Sequence, residues 1–296
     1  MSIRISHFIT AQDGLKLHVR AHGSRATSAL PVVCLPGLTR TGADFDTLAS
    51  VLADDAEHPR YVLALDYRGR GLSDYDSNPD NYSLPVELAD VLSVLTALEI
   101  GKAVFVGTSR GGLLTMLLGA ARPAALAGVV LNDIGPVLEP HGLARIKNYV
   151  GRLPQLNSFG EAADSLRQLF SSQFPALSAD DWMTLARSMF RDQGGRIIPD
   201  YDPKLAHALR DVDTERPLPA LWEQFDSLAQ VPLLIIRGAN SDLLSATTVE
   251  VMRARRAQCD ILVVADQGHA PLLADAETIS HIGAFIRSCE QSEGAA

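Results

Sequence analysis

An open, mostly parallel α/β sheet of eight strands wrapped by helices is the fold class this sequence predicts, on three observations. Short, near-continuous runs of Val, Ile and Leu recur at residues 32–35, 61–65, 103–106, 127–131, 233–236 and 261–264, as strands buried on both faces require. Helical patterns at 45–53, 84–98, 113–121, 247–256 and 278–286 separate or follow them. Ahead of all of these, two strand-like runs at 3–10 and 15–21 flank Asp13-Gly14, a hairpin signal. A hairpin followed by βαβ repetition closes into one sheet with helices on its faces.

Taken in order, the hairpin opens the sheet and the run at 32–35 enters its buried part. Ser83 is placed to cap the helix that Leu84 and Pro85 open, proline being suited to a first helical turn. The rhythm then breaks. From 132 to 230 no buried strand is evident, and the stretch is helical in pattern, is punctuated by prolines from Pro136 to Pro219, and holds both tryptophans, Trp182 and Trp222. The expected organisation is a core built from 1–135 and 221–296, with 136–220 inserted as a helical cap over the edge where the strands end. Met183, Phe190 and Tyr201, with the two tryptophans, are candidates for an apolar pocket wall there, although aromatics at helical spacing more often serve packing. Residues 291–296 are expected to fray.

Composition limits the partners. The chain has 296 residues, 47% hydrophobic and 21% charged, which suits a packed globular protein. Lys and Arg total 26 against 35 Asp and Glu, a net charge of −9. That balance argues against nucleic acid and against anionic membrane surfaces. Cys34, Cys259 and Cys289 are sparse, odd in number and free of any CxxC or zinc-like spacing, so neither a disulfide framework nor a structural metal is expected. The first ten residues lack the apolar core of a signal peptide. The most apolar stretch, 113–121, is too short to span a bilayer. Together these read as a soluble, cytoplasmic protein without membrane insertion.

The chemistry centres on Gly107-Thr-Ser-Arg-Gly-Gly112. It matches GxSxG between an expected strand and an expected helix. There a serine sits on a tight, strained turn, and glycines let strand and helix pass closely. A serine hydroxyl needs a base. His269, in Gly268-His-Ala-Pro271, follows the last strand by a short loop and falls on the same sheet edge as Ser109. His7, His18, His22, His58 and His281 lack that placement, and His141 and His207 fall in the insertion. A carboxylate must hold the imidazole. Asp242, after the strand at 233–236, gives the order Ser109, Asp242, His269 and is the expected acid. Asp133, directly after the strand at 127–131, is the possible alternative. Two backbone N–H groups must face the developing negative charge. Arg110, following the nucleophile, offers one, and Leu38, after Gly37, offers the other.

These motifs together resemble the α/β-hydrolase fold serine hydrolases: Leu35-Pro-Gly-Leu38, Asp66-Tyr-Arg-Gly-Arg-Gly-Leu-Ser-Asp74, the Gly107–Gly112 string, Arg237-Gly-Ala-Asn-Ser-Asp242 and Gly268-His269 occur in the family's order. Pro36 stands where many members have histidine, and Arg110 where many have Met, Leu or Gln. The Arg110 side chain is thus a candidate either for holding an anionic substrate or for pairing with an acid, while Arg68 and Asp74 are assigned no catalytic part. The resemblance implies a capped fold, no cofactor or metal, and a small-molecule carboxylic ester or lactone cleaved through an acyl-enzyme. The rival readings are a carbon–carbon bond hydrolase of the same fold, an acyltransferase, and a non-catalytic binding protein.

Overall fold

The computed structural model describes residues 4–294 except 153, 217 and 257. Position 3, the start of the first expected strand, and positions 295–296 of the expected frayed end lie outside them. The strands are β1 (Arg4–Thr10), β2 (Lys16–His22), β3 (Val32–Leu35), β4 (Val62–Asp66), β5 (Ala103–Thr108), β6 (Leu126–Asn132), β7 (Phe190–Gln193), β8 (Arg196–Pro199), β9 (Leu233–Gly238) and β10 (Cys259–Val264). The helices are α1 (Asp46–Ala53), α2 (Leu84–Ala97), α3 (Arg110–Ala121), α4 (Pro140–Tyr149), α5 (Phe159–Phe170), α6 (Ala179–Met189), α7 (Trp222–Asp226), α8 (Ala246–Arg255) and α9 (Ala276–Gly294).

Eight strands form one sheet in the order β1-β2-β4-β3-β5-β6-β9-β10. Only β2 runs against its neighbours β1 and β4; the remaining pairs are parallel. The hairpin joining β1 and β2 is wider than a two-residue turn. The Ala11 N–H donates to the Leu15 carbonyl at 2.8 Å, and Gly14 takes the left-handed bend at φ 91°. The parallel register aligns Leu35 with Gly107, Thr108 with Asn132, and Val264 with Gly238. The carboxyl ends of the central strands therefore open onto a single edge, where ligands bind in such sheets.

Alternation along β5 shows how the sheet is held. Ala103 and Phe105 enter one hydrophobic cluster, with Val91 and Leu95 of α2, Leu114 and Leu118 of α3, and Met252 of α8. Val104 and Val106 enter the other, with Leu48 and Leu52 of α1 and Ile282 and Ile286 of α9. Full burial of a side chain such as Phe105 stabilises by roughly 1.5–3 kcal/mol. Helix α9 runs beyond the expected 278–286 and through the expected frayed end as far as Gly294. Among the described residues, no helix is long and apolar enough to cross a membrane.

Between β6 and β9, helices α5 and α6 with strands β7 and β8 build a third cluster from Ala162, Leu166, Trp182, Leu185, Phe190 and Ile197. Ser158 and Ser178 cap these helices, the latter in a reciprocal capping box with Asp181. This stretch also holds a hairpin, β7 with β8, where no strand was expected. Its strands have four residues each, too short to carry periodicity. The legible signal was Gly194-Gly195, at φ 65° and 85°, the pair that a tight hairpin turn favours.

Candidate active site

Ser109 sits between β5 and α3 at φ 51° and ψ −113°, a backbone region costly for a residue with a Cβ. The local sequence makes this turn possible. A Cβ on Gly111 would lie 2.0 Å from the Leu35 carbonyl oxygen, and one on Gly107 2.7 Å from the Gly111 backbone. Strand, turn and helix can approach this closely only with glycine at those positions. The Ser109 N–H donates to the Asn132 carbonyl at 3.0 Å. The Asn132 side-chain amide donates to Thr108 Oγ1 at 3.0 Å and to the Pro271 carbonyl at 2.9 Å. The ends of β5 and β6 and the loop carrying His269 are thereby tied together.

Ser109 Oγ lies 2.8 Å from His269 Nε2, and His269 Nδ1 lies 2.8 Å from Asp133 Oδ2. Asp133 is fully buried at the end of β6 and takes φ 54°. Its Oδ1 accepts from the Gly238 N–H at 2.8 Å, and its Oδ2 also accepts from Ser241 Oγ at 2.5 Å. With Asp133 as an acceptor, Nδ1 carries the imidazole proton and Nε2 is free to accept from the serine hydroxyl. Such a file permits a serine to act as a nucleophile.

Asp242, the expected acid, is not the partner of His269. Both of its oxygens accept from Arg145 of α4, at 2.6 and 2.9 Å. Burial pushes its carboxyl pKa up, but the Arg145 hydrogen bonds and charge prevail and hold it below the ordinary carboxylate range. The reason for the correction is local. After β9 the chain turns so that Ser241, rather than Asp242, points inward to Asp133.

The loop after β3 lies against Ser109. A Cβ on Gly37 would stand 3.8 Å from the Ser109 Cβ, and Leu38 lines the same cavity as Ser109 and His269. Arg110 opens α3, so its N–H is one of the first-turn amides without a helical acceptor. Its side chain is engaged elsewhere: Nε donates to Glu87 Oε2 at 2.5 Å, so of the two uses expected for it, pairing with an acid is the one observed. Gln173, between α5 and α6, accepts the His269 N–H at 3.2 Å.

The cavity over Ser109 measures about 210 Å³. Ile146, Tyr149, Phe170, Phe174, Leu185 and Met189 supply its apolar wall. At its polar side Arg40 forms a two-point pair with Asp44, at 2.5 and 2.6 Å. The aromatics singled out in the sequence are spent elsewhere: Trp182 and Phe190 in the third cluster with Met183 against it, Tyr201 in the main core, and Trp222 packed beside that core under Arg255. His141 is exposed, and His207 pairs with Asp80 at 2.9 Å. A larger, open depression beside Ser24, Thr27, His58 and Glu290 lies toward the amino-terminal ends of β3 and β4, away from this chemistry.

A second file, Ser6–His18–Asp66, has similar spacing at 2.9 and 2.7 Å. None of its residues lines the cavity over Ser109. Asp66 also accepts the Gly42 and Leu72 N–H groups, so this network braces the loop after β4.

Residues 32–281 match the model of the Alpha/beta hydrolase family. A 3-hydroxybutyrate-oligomer hydrolase of Cupriavidus necator is 34% identical over 282 residues, 92% of this chain and 94% of the relative. Esterase YbfF of Escherichia coli is 26% identical over 264 residues, 86% and 92% of the two chains. The crystal structure of an alpha/beta hydrolase from Novosphingobium aromaticivorans superposes with a TM-score of 0.87 at 40% identity, covering 97% of this chain and 99% of the other.

Proposed function

The chain belongs to the alpha/beta hydrolase family, and we propose that within it this protein is a serine ester hydrolase working through an acyl-enzyme. The observation that carries this reading is the continuous file Ser109–His269–Asp133, set in the strained turn after β5. Ser109 Oγ attacks the ester carbonyl as His269 Nε2 takes its proton. Asp133 keeps the imidazole in the tautomer that can accept it and stabilises the imidazolium. The Leu38 and Arg110 N–H groups bind the carbonyl oxygen as it becomes negative, each such donor being worth roughly 100- to 1000-fold in rate. The alcohol leaves with the proton from His269. Water then repeats the sequence on the acyl-enzyme and frees the acid.

For the substrate, we propose a short-chain ester of a hydroxy acid. Two features support it: the similarity to a 3-hydroxybutyrate-oligomer hydrolase over nearly the whole chain, and a cavity of about 210 Å³ that joins an apolar wall to the Arg40–Asp44 pair. The segment 136–220 acts as the cap that closes this cavity from solvent. The deciding experiment compares 3-hydroxybutyrate dimer and trimer with p-nitrophenyl butyrate and a simple lactone, using wild type and Ser109→Ala. Turnover of the oligomers that depends on Ser109 supports the reading. Turnover that survives in Ser109→Ala ends it, and p-nitrophenyl ester hydrolysis without oligomer hydrolysis removes the substrate assignment.

A further inference from the structure

Glu87 touches neither Ser109 nor His269, yet it joins the two segments that would bind the oxyanion. It lies in the first turn of α2 and is fully buried. One carboxylate oxygen accepts from Arg70 Nη1 at 2.7 Å, and the other accepts from Arg110 Nε at 2.5 Å. Arg70 is also fully buried, and its Nε donates to the Leu38 carbonyl at 2.8 Å. The Tyr67 and Tyr82 rings flank its guanidinium at 5.5 and 5.7 Å. Arg110 is secured a second time, by Nη2 to the Tyr82 carbonyl at 3.2 Å. A single carboxylate therefore holds Leu38 through one arginine and Arg110 directly.

From this bridge, which rests on the reading of Ser109 as an ester-cleaving nucleophile, we propose that Glu87 is a positioning residue that aligns both halves of the oxyanion hole. Two guanidiniums against one carboxylate also leave one net positive charge behind those amides, the sign that favours an oxyanion in front of them. Burying three charges is costly in stability, and burial does oppose ionisation of Glu87. The Arg110 and Arg70 charges prevail and keep its carboxyl below the ordinary range.

The test is the rate at which a fluorophosphonate labels Ser109, because its phosphoryl oxygen enters the same hole whatever ester the protein cleaves. In Glu87→Gln the labelling rate and kcat for p-nitrophenyl butyrate should fall together by about 10- to 100-fold, short of losing both donors. KM should stay within about twofold, as expected when only transition-state contacts are weakened. Final labelling should still reach one per chain, since a partly unfolded population lowers the amplitude rather than the rate. Folded Glu87→Gln that labels at the wild-type rate overturns the proposal. If Glu87→Gln fails to fold, Arg110→Gln decides: slower labelling, partly recovered in Arg110→Lys, supports the proposal, and an unchanged rate overturns it. Wild-type protein that labels at Ser109 but cleaves no ester removes the ester reading and leaves this comparison standing. Wild-type protein that does not label at Ser109 overturns both.

Discussion

Asp133 Oδ2 lies 2.8 Å from His269 Nδ1, while Asp242, beyond the neighbouring strand of the sheet, is bound by Arg145 through both oxygens. Two carboxylates thus compete in sequence for one imidazole, and the fold separates their tasks. Asp133 receives three hydrogen bonds, from Gly238, Ser241 and His269. Its orientation is therefore set before any substrate arrives.

Asp133→Asn should lower kcat for p-nitrophenyl butyrate by about 10,000-fold, because an amide in this place favours the wrong imidazole tautomer. Asp242→Asn should stay within about threefold of wild type. Steady-state kinetics on both variants check this, and a collapse of activity in Asp242→Asn alone would return that residue to the acid's role.

Asp242 contributes to stability instead. Its carboxyl pKa is depressed in the folded state. The contribution of its pair with Arg145 is therefore present above the unfolded pKa of about 3.9 and fades as pH falls through the lower folded value. Asp242→Asn should cost on the order of 1–2 kcal/mol, the scale of a hydrogen-bonded charge. The deficit should be level from about pH 5 to 8 and shrink below about pH 4. Urea unfolding across that range measures it, and a deficit that grows on acidification contradicts the assignment.

The backbone at Ser109 gives a prediction opposite to the usual rule. Replacing alanine by glycine ordinarily destabilises. At φ 51° a Cβ is the strained element, so Ser109→Gly should be more stable than Ser109→Ala by about 1 kcal/mol. Neither variant has the hydroxyl, so comparing their thermal unfolding isolates the backbone effect.

Gly111 leaves no such latitude. With a Cβ placed 2.0 Å from the Leu35 carbonyl oxygen, Gly111→Ala must push α3 away from β3. A loss of about 3 kcal/mol or more is expected, read as a lower urea midpoint or as failure to fold. Wild-type stability in Gly111→Ala would mean that helix and strand do not pack this closely.

Much of this protein was legible in its sequence because the deciding patterns are local. Continuous apolar runs marked six strands of the main sheet, the Asp13-Gly14 hairpin signal marked the other two, and the glycines around Ser109 marked the sharp turn. Gly268-His269 after the last strand placed that imidazole on the same edge as Ser109. The tertiary structure decided what depends on distant contacts. Whether Asp133 or Asp242 faced His269 turned on a left-handed backbone at Asp133, an inward Ser241 hydroxyl, and an arginine 97 positions from Asp242. The pocket wall fell to Tyr149, Phe170 and Phe174 rather than to the more conspicuous tryptophans, because helix periodicity shows which face is apolar but not what that face meets. The link from Leu38 to Arg110 through Glu87 left no mark in the sequence, since a carboxylate in a helix's first turn reads as ordinary dipole compensation until the fold brings two arginines to it.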